Sequence, residues 1–206
     1  MLKGIVSLLF VCISYASFSQ VDTIRTLQLI NERGGYEKLV ERFNNSDTTL
    51  TIEEFQLIYY GYQTTKTYYS KENECKETLI KPLNKSGQYK LVIELADSIL
   101  FFNPVSLVAH FEKAFSCAQL GLTTLEDLHQ KRYIVLCNVI KSSGNGTALL
   151  RYNANSVNDV LEFLAFKGLK ATNDSKTETG LIRFDLAKNK QKISHLFFFI
   201  PNKAYT

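Results

Sequence analysis

The chain has no tryptophan, three histidines, three prolines and one methionine, and its charge of either sign is thinly spread. Without tryptophan, the strongest stacking side chain, an aromatic platform for glycans is poorly supplied. No Cys-x-x-Cys or His-x-x-x-His spacing occurs, so the sequence names no metal ligand. A net charge of +4, with no block of five like charges, gives none of the electrostatic footprint that neutralises several phosphates. DNA and RNA are therefore not expected partners. After the first 20 residues no apolar run reaches the roughly 20 residues that span a bilayer. The sequence does carry 45% apolar residues over 206 positions, enough for one globular domain or two small ones and too many for a disordered or fibrous chain.

The apolar run that does exist lies at the start. Lys3 supplies a positive n-region, Gly4 to Ala16 form an apolar core, and Ser17, Phe18 and Ser19 surround a cleavable bond with small residues. The expectation is a signal peptide over 1–19, cut after Ser19, with the protein exported to the periplasm, the outer membrane or the medium. Cys12 follows bulky Val11 inside the apolar core, which argues against lipid attachment. Removal of the leader leaves Cys75, Cys117 and Cys137, an odd number in a compartment that permits disulfides. Cys117 and Cys137 sit in apolar helical runs, where free cysteine behaves as a small hydrophobe. Three unpaired thiols are preferred to a bridge between those two.

Residues 20–141 read as helical. Tyr36, Leu39, Val40 and Phe43 fall at i, i+3, i+4 and i+7, and Ile52, Phe55, Ile58, Tyr59 and Tyr62 continue a second stripe. Thr51 with Glu54 three residues later is a capping box, which occupies amides that a helix start leaves unpaired. Residues 63–86 are polar, include Pro82 and read as a long loop. A helix with Tyr89, Val92, Leu95, Ala96 and Ile99 follows, ending near Phe102. Asn103 is expected to cap the next helix, in which Pro104 occupies the first turn. That helix carries Leu107, Val108, Phe111, Ala114, Phe115 and Ala118 and closes at Gly121; Thr124 is expected to cap the one after it. These helical hairpins loosely resemble tetratricopeptide units, without a clean 34-residue repeat.

Residues 142–206 read as an α+β region packed with the helices as one globular unit. Ala148–Tyr152 and Leu169–Thr172 are expected strands, with a helix through Val157, Val160, Leu161 and Leu164 between them. Ile182, Phe184 and Leu186 alternate with charged residues, as in a strand with one buried face. LFFFI at 196–200 does not alternate and reads as a strand covered on both faces or central in the sheet. The fold class expected is α+β: N-terminal helical hairpins followed by a small, mostly antiparallel sheet with one helix.

YEKLVERFNNSDTTLTIEEFQLIYYGY at 36–62, NPVSLVAHF at 103–111, KSSGNG at 141–146 and SVNDVLEFLAFKGL at 156–169 resemble the family known as domain of unknown function 4919. The Tyr-Tyr-Gly-Tyr run is the most specific element. The resemblance covers nearly the whole mature chain and implies an exported bacterial protein without implying an activity. The family often has an acidic residue in the Ser-Gly-x-Gly loop where this chain has Asn145, which argues against a metal or acid–base role for that position.

Two groups of residues are candidates for binding. Tyr59, Tyr60, Tyr62 and Tyr68 could offer aromatic faces, although continuing the core stripe is the simpler role for Tyr59 and Tyr62. Ser143, Gly144, Asn145 and Gly146 form a loop that follows a helix, the wrong end of the dipole for an anion, and read as a C-cap with Gly144 in the left-handed conformation. His110, His129 and His195 are scattered, and no catalytic residue, metal or cofactor is assigned. Glu53 and Glu54 read as capping and solvation. The Asn-x-Ser/Thr triplets at Asn44, Asn84, Asn145 and Asn173 bear on function only in a eukaryotic secretory pathway. The reading that results is an exported envelope protein that binds an envelope protein or peptide. The alternatives are a small envelope hydrolase with a site assembled from distant residues, and a purely structural surface protein.

Overall fold

A computed structural model describes residues 23–68 and 71–201. The expected signal peptide and Tyr69 lie outside the described residues. The first layer is built by α1 (Thr23–Glu32), α2 (Tyr36–Asn44) and α3 (Ile52–Gly61). The capping box forms: the Thr51 hydroxyl accepts from the Glu54 amide at 3.2 Å, and Glu54 Oε2 accepts from the Thr51 amide at 2.9 Å. Arg42 on α2 reaches both Glu54 and Asp47, the latter at 2.7 Å, so the cap also ties α2 to α3. Gly61, in the Tyr-Tyr-Gly-Tyr run, has a packing reason: a Cβ there would lie 2.6 Å from Ile30 Cδ1 and 3.0 Å from the Tyr36 ring. Tyr36 then donates to the Ile58 carbonyl at 3.1 Å.

The expected loop at 63–86 is corrected by the structure. After a short 3₁₀ turn at Tyr62–Thr64, residues Lys71–Lys85 form α4, with Pro82 inside it. Its apolar content is low because it docks through polar groups one turn apart: Glu77, Lys81 and Asn84. Glu77 accepts from Ser106 Oγ at 2.5 Å and Asn158 Nδ2 at 2.8 Å. Lys81 pairs with Glu162, and Asn84 donates to the Glu112 carbonyl at 3.0 Å and accepts from the Ser116 hydroxyl. Only Ile80, with Leu83 beside it, joins an apolar cluster here.

From α4, each helix packs on the next through α5 (Tyr89–Phe102), α6 (Leu107–Gln119) and α7 (Thr123–Ser142). The caps differ from expectation. Ser106, not Asn103, caps α6, accepting from the Ala109 amide at 3.2 Å. Asn103 instead ends α5 and turns its Oδ1 to the Val105 amide at 3.3 Å, and a turn closed by the Ser106 amide on the Asn103 carbonyl at 3.2 Å puts the helix start after Ser106. Thr124 lies within α7: Gly121 in the left-handed conformation lets the chain enter the helix directly at Thr123, with no side-chain cap.

The remaining elements are β1 (Tyr152–Asn153), α8 (Val157–Phe166), β2 (Ala171–Lys176), β3 (Ile182–Leu186) and β4 (His195–Phe199). The sheet order is β1-β4-β3-β2, antiparallel except for the β1–β4 pair. The fold is thus α+β, as expected. β1 is shorter than expected because the Asn145 and Gly146 amides both bond to the Leu150 carbonyl, at 2.8 and 2.9 Å, closing a loop where a strand would run. β2 extends further than expected through the exposed residues NDSK, as an edge strand can. β4 is inner in the sheet but has only one fully buried face, that of Leu196 and Phe198. One continuous apolar cluster joins α1–α3 and α7 to α8 and the sheet.

Candidate functional site

The structure brings two of the sequence candidates together, inside the protein. Tyr59, Tyr60 and Tyr62 are buried and Tyr68 is half-buried. Tyr59 Oη donates to Asp159 Oδ2 at 2.8 Å and accepts from the Asn155 amide at 3.1 Å. Tyr60 donates to the Asn153 carbonyl at 3.3 Å and Tyr68 to the Asn155 carbonyl at 2.9 Å. Asn155 completes the arrangement by donating to the Tyr59 carbonyl at 2.7 Å and accepting from Gln63 at 2.7 Å. Ser143 accepts from the Asn153 amide at 2.8 Å. Tyr59, Tyr60, Tyr68 and the serine therefore clamp the 153–155 segment between α3 and the start of α8, while Tyr62 donates to the Thr67 carbonyl at 3.0 Å, and the rings are spent on packing.

In the loop at 143–146 the glycine roles are redistributed. Gly146, not Gly144, holds the positive φ, 83°. Gly144 is needed for close approach: a Cβ would lie 2.2 Å from the Arg151 carbonyl oxygen and 2.5 Å from that of Leu150. Asn145 Oδ1 accepts from the Thr147 amide at 3.0 Å, so its side chain serves the turn.

Two buried titratable groups of residues escaped the sequence reading. His110 and His129 meet Nδ1 to Nδ1 at 2.9 Å, with His110 Nε2 at 3.0 Å from the Pro104 carbonyl. That carbonyl can only accept, so His110 Nε2 carries hydrogen and its Nδ1 accepts from His129. Burial, reinforced by Lys113 and Arg132 and, for His110, by His129, holds both imidazoles toward the neutral form, His129 down to about 4 and His110 well below its usual range. The second group is acidic. Burial pushes Asp159 up to about 8, with the Glu77 charge acting the same way, and burial also raises Glu77 and Glu112. The hydrogen bonds of Glu77 and Glu112 bind α4 to α6 and α8, and that of Asp159 binds α8 to α3, so the geometry is that of a seam rather than an open site. Ser194 Oγ lies 2.9 Å from His195 Nδ1, but at the surface.

Accessible chemistry lies instead on the α6–α7 hairpin. Phe111, Ala114, Phe115 and Ala118 recur at i, i+3, i+4 and i+7 on α6 and face Glu126, Gln130, Tyr133 and Ile134 of α7. With Phe166 from α8 they line a groove of about 390 Å³. Phe111 and Phe115 remain 41% and 44% exposed. Their positions are fixed by stacking: Phe111 on Tyr133 at 5.1 Å, Tyr133 on Phe166 at 6.0 Å, and Phe115 against Tyr89 at 6.3 Å. Such a groove can take up apolar side chains of a second molecule, with Glu126 and Gln130 as polar contacts at its edge. The sequence signal was present in the α6 stripe, but it does not tell which members face the core.

Among the described residues no group of three or more His, Cys, Asp or Glu is placed to hold a metal ion, and no helix is long and apolar enough to cross a membrane. Fold and groove together define an α+β protein whose sequential helices carry an open aromatic groove. Over residues 26–204 the chain matches the family model for the domain of unknown function DUF4919, and it belongs to that family. No curated protein and no solved structure matches it.

Proposed function

We propose that the chain is an exported bacterial envelope protein that binds another protein or a peptide in the α6–α7 groove. The carrying observation is the row of exposed, pre-stacked aromatic residues Phe111, Phe115 and Phe166 beside Ile134. Clustered exposed apolar side chains of this kind mark interaction surfaces, and rigid rings lose little entropy on contact. Export is supported by Lys3 and the apolar run Gly4 to Ala16. In this reading 1–19 is the leader, and the helical and α+β regions form one working unit around the shared core. A hydrolase would draw on Ser194 and His195, which lie at the surface away from the groove.

The test has two arms. N-terminal sequencing of the protein from an envelope fraction of the native host is expected to begin at Gln20; retention of Met1 in a cytosolic fraction would contradict export. Co-purification from that fraction is expected to yield a discrete partner that F111A/F115A loses while its circular dichroism and Tm stay at wild-type values. A partner retained by that variant would place binding elsewhere.

A further inference from the structure

A second cleft, separate from the hairpin groove, opens between α2, the 64–67 turn and the end of α5, with a volume of about 850 Å³. Its walls differ in chemistry. One is the α2 face carrying Glu37 and Glu41, both exposed and in no salt bridge among the described residues. Another part of the lining is the pair Phe101 and Phe102, stacked edge to face at 4.9 Å, with Phe101 81% exposed. Lys66 is the cation in the lining, so the cleft is net acidic on a chain of net charge +4. The aromatic pair already accepts a cation from this chain: Lys76 Nζ sits 5.8 Å from the centre of the Phe102 ring.

We propose that this cleft docks an extended segment of a partner protein that presents lysine or arginine at alternate positions with an apolar residue between them. The spacing carries the argument. Glu37 and Glu41 are four residues apart on a helix, about 6 Å along its axis. Alternate side chains of an extended segment lie roughly 6.5 Å apart on one side. Two cationic side chains can therefore meet the two carboxylates while the residue between them points to Phe101 and Phe102. Each cation then meets a carboxylate, and the apolar side chain meets the aromatic pair.

The test uses two fluorescein-labelled peptides, Gly-Lys-Leu-Lys-Phe-Lys-Gly and its counterpart with glutamate for each lysine, in fluorescence anisotropy with the mature protein. The lysine peptide is expected to bind and the glutamate peptide not. E37Q/E41Q is expected to weaken binding at least tenfold and F101A at least threefold. E178Q, on the β2–β3 connection, and F115D, in the hairpin groove, should leave it unchanged. Glu37, Glu41 and Phe101 are exposed, and circular dichroism of the variants checks that they fold. Equal binding of both peptides, affinity of E37Q/E41Q within twofold of wild type, equal weakening by E178Q, or no binding of the lysine peptide would each overturn the proposal. Loss with F115D alone would assign the peptide to the hairpin groove instead.

Discussion

Asp159 shows how far a residue's surroundings can move its chemistry. Buried beneath Tyr59 and near Glu77, its carboxyl is pushed up to about 8, so the folded chain holds its proton between about pH 4 and 8 while the unfolded chain has released it. Stability therefore falls as pH rises through that window, and Glu77 and Glu112 act in the same direction. The lowered pKa values of His110 and His129 act oppositely: the unfolded chain takes up protons below about pH 6.5 that the folded chain refuses until much lower pH. Above about pH 7 the histidines are mostly neutral in both states, and the carboxyl effect dominates. Thermal unfolding between pH 7 and 8.5 should show Tm falling, with roughly 0.5 kcal/mol lost per pH unit below the Asp159 pKa. D159N should flatten that limb, and a wild-type Tm that rises over this range would contradict the assignment. The thiols give a second residue-scale prediction. Cys117 and Cys137 are buried, and burial raises both, whereas Cys75 is exposed. A maleimide should label Cys75 alone in native protein produced from Gln20, and Cys117 and Cys137 as well after denaturation.

At the scale of elements, α4 is held by hydrogen bonds and an ion pair more than by apolar contact. Asn84 bonds to Glu112 and Ser116 at once, so N84A leaves buried partners unpaired and should cost about 2 kcal/mol. Hydrogen exchange should show the α4 amides of N84A opening before those of α6. Simultaneous opening of the two helices would show that the polar seam does not set the stability of α4. The same seam explains why α4 was illegible. Periodicity reads apolar stripes, and α4 displays Glu77, Lys81 and Asn84 where a stripe would stand. β2 escaped in part for a related reason: as an exposed edge it needs no apolar residues, and only its pairing with β3 marks it. By contrast α3 was legible from its capping box and stripe, and α5, α6 and β3 from their apolar spacing. Cap residues were less legible, because Asn103, Ser106 and Thr124 are all competent caps and only the path of the chain after Pro104 and Gly121 chooses among them.

For the whole molecule, one apolar cluster spans the N-terminal helices and the sheet, so the helical and α+β regions share a core. The core role of Tyr59 and Tyr62 could be read from the stripe they continue. The role of Tyr59, with Tyr60 and Tyr68, in clamping residues 153–155 through bonds that cross more than 80 positions of sequence could not. The groove was hidden differently. The α6 stripe contains Leu107 and Val108, which the core takes, and Phe111 and Phe115, which it leaves outside. Packing, not composition, makes that division. The central claim, that this face meets a partner, is tested most directly by a photo-crosslinking residue at Ile134 in cells of the native host. The account predicts one dominant protein adduct, lost in F111A/F115A and absent when the crosslinker stands at Ser175 on exposed β2. No adduct from Ile134, or the same adducts from both positions, would contradict it.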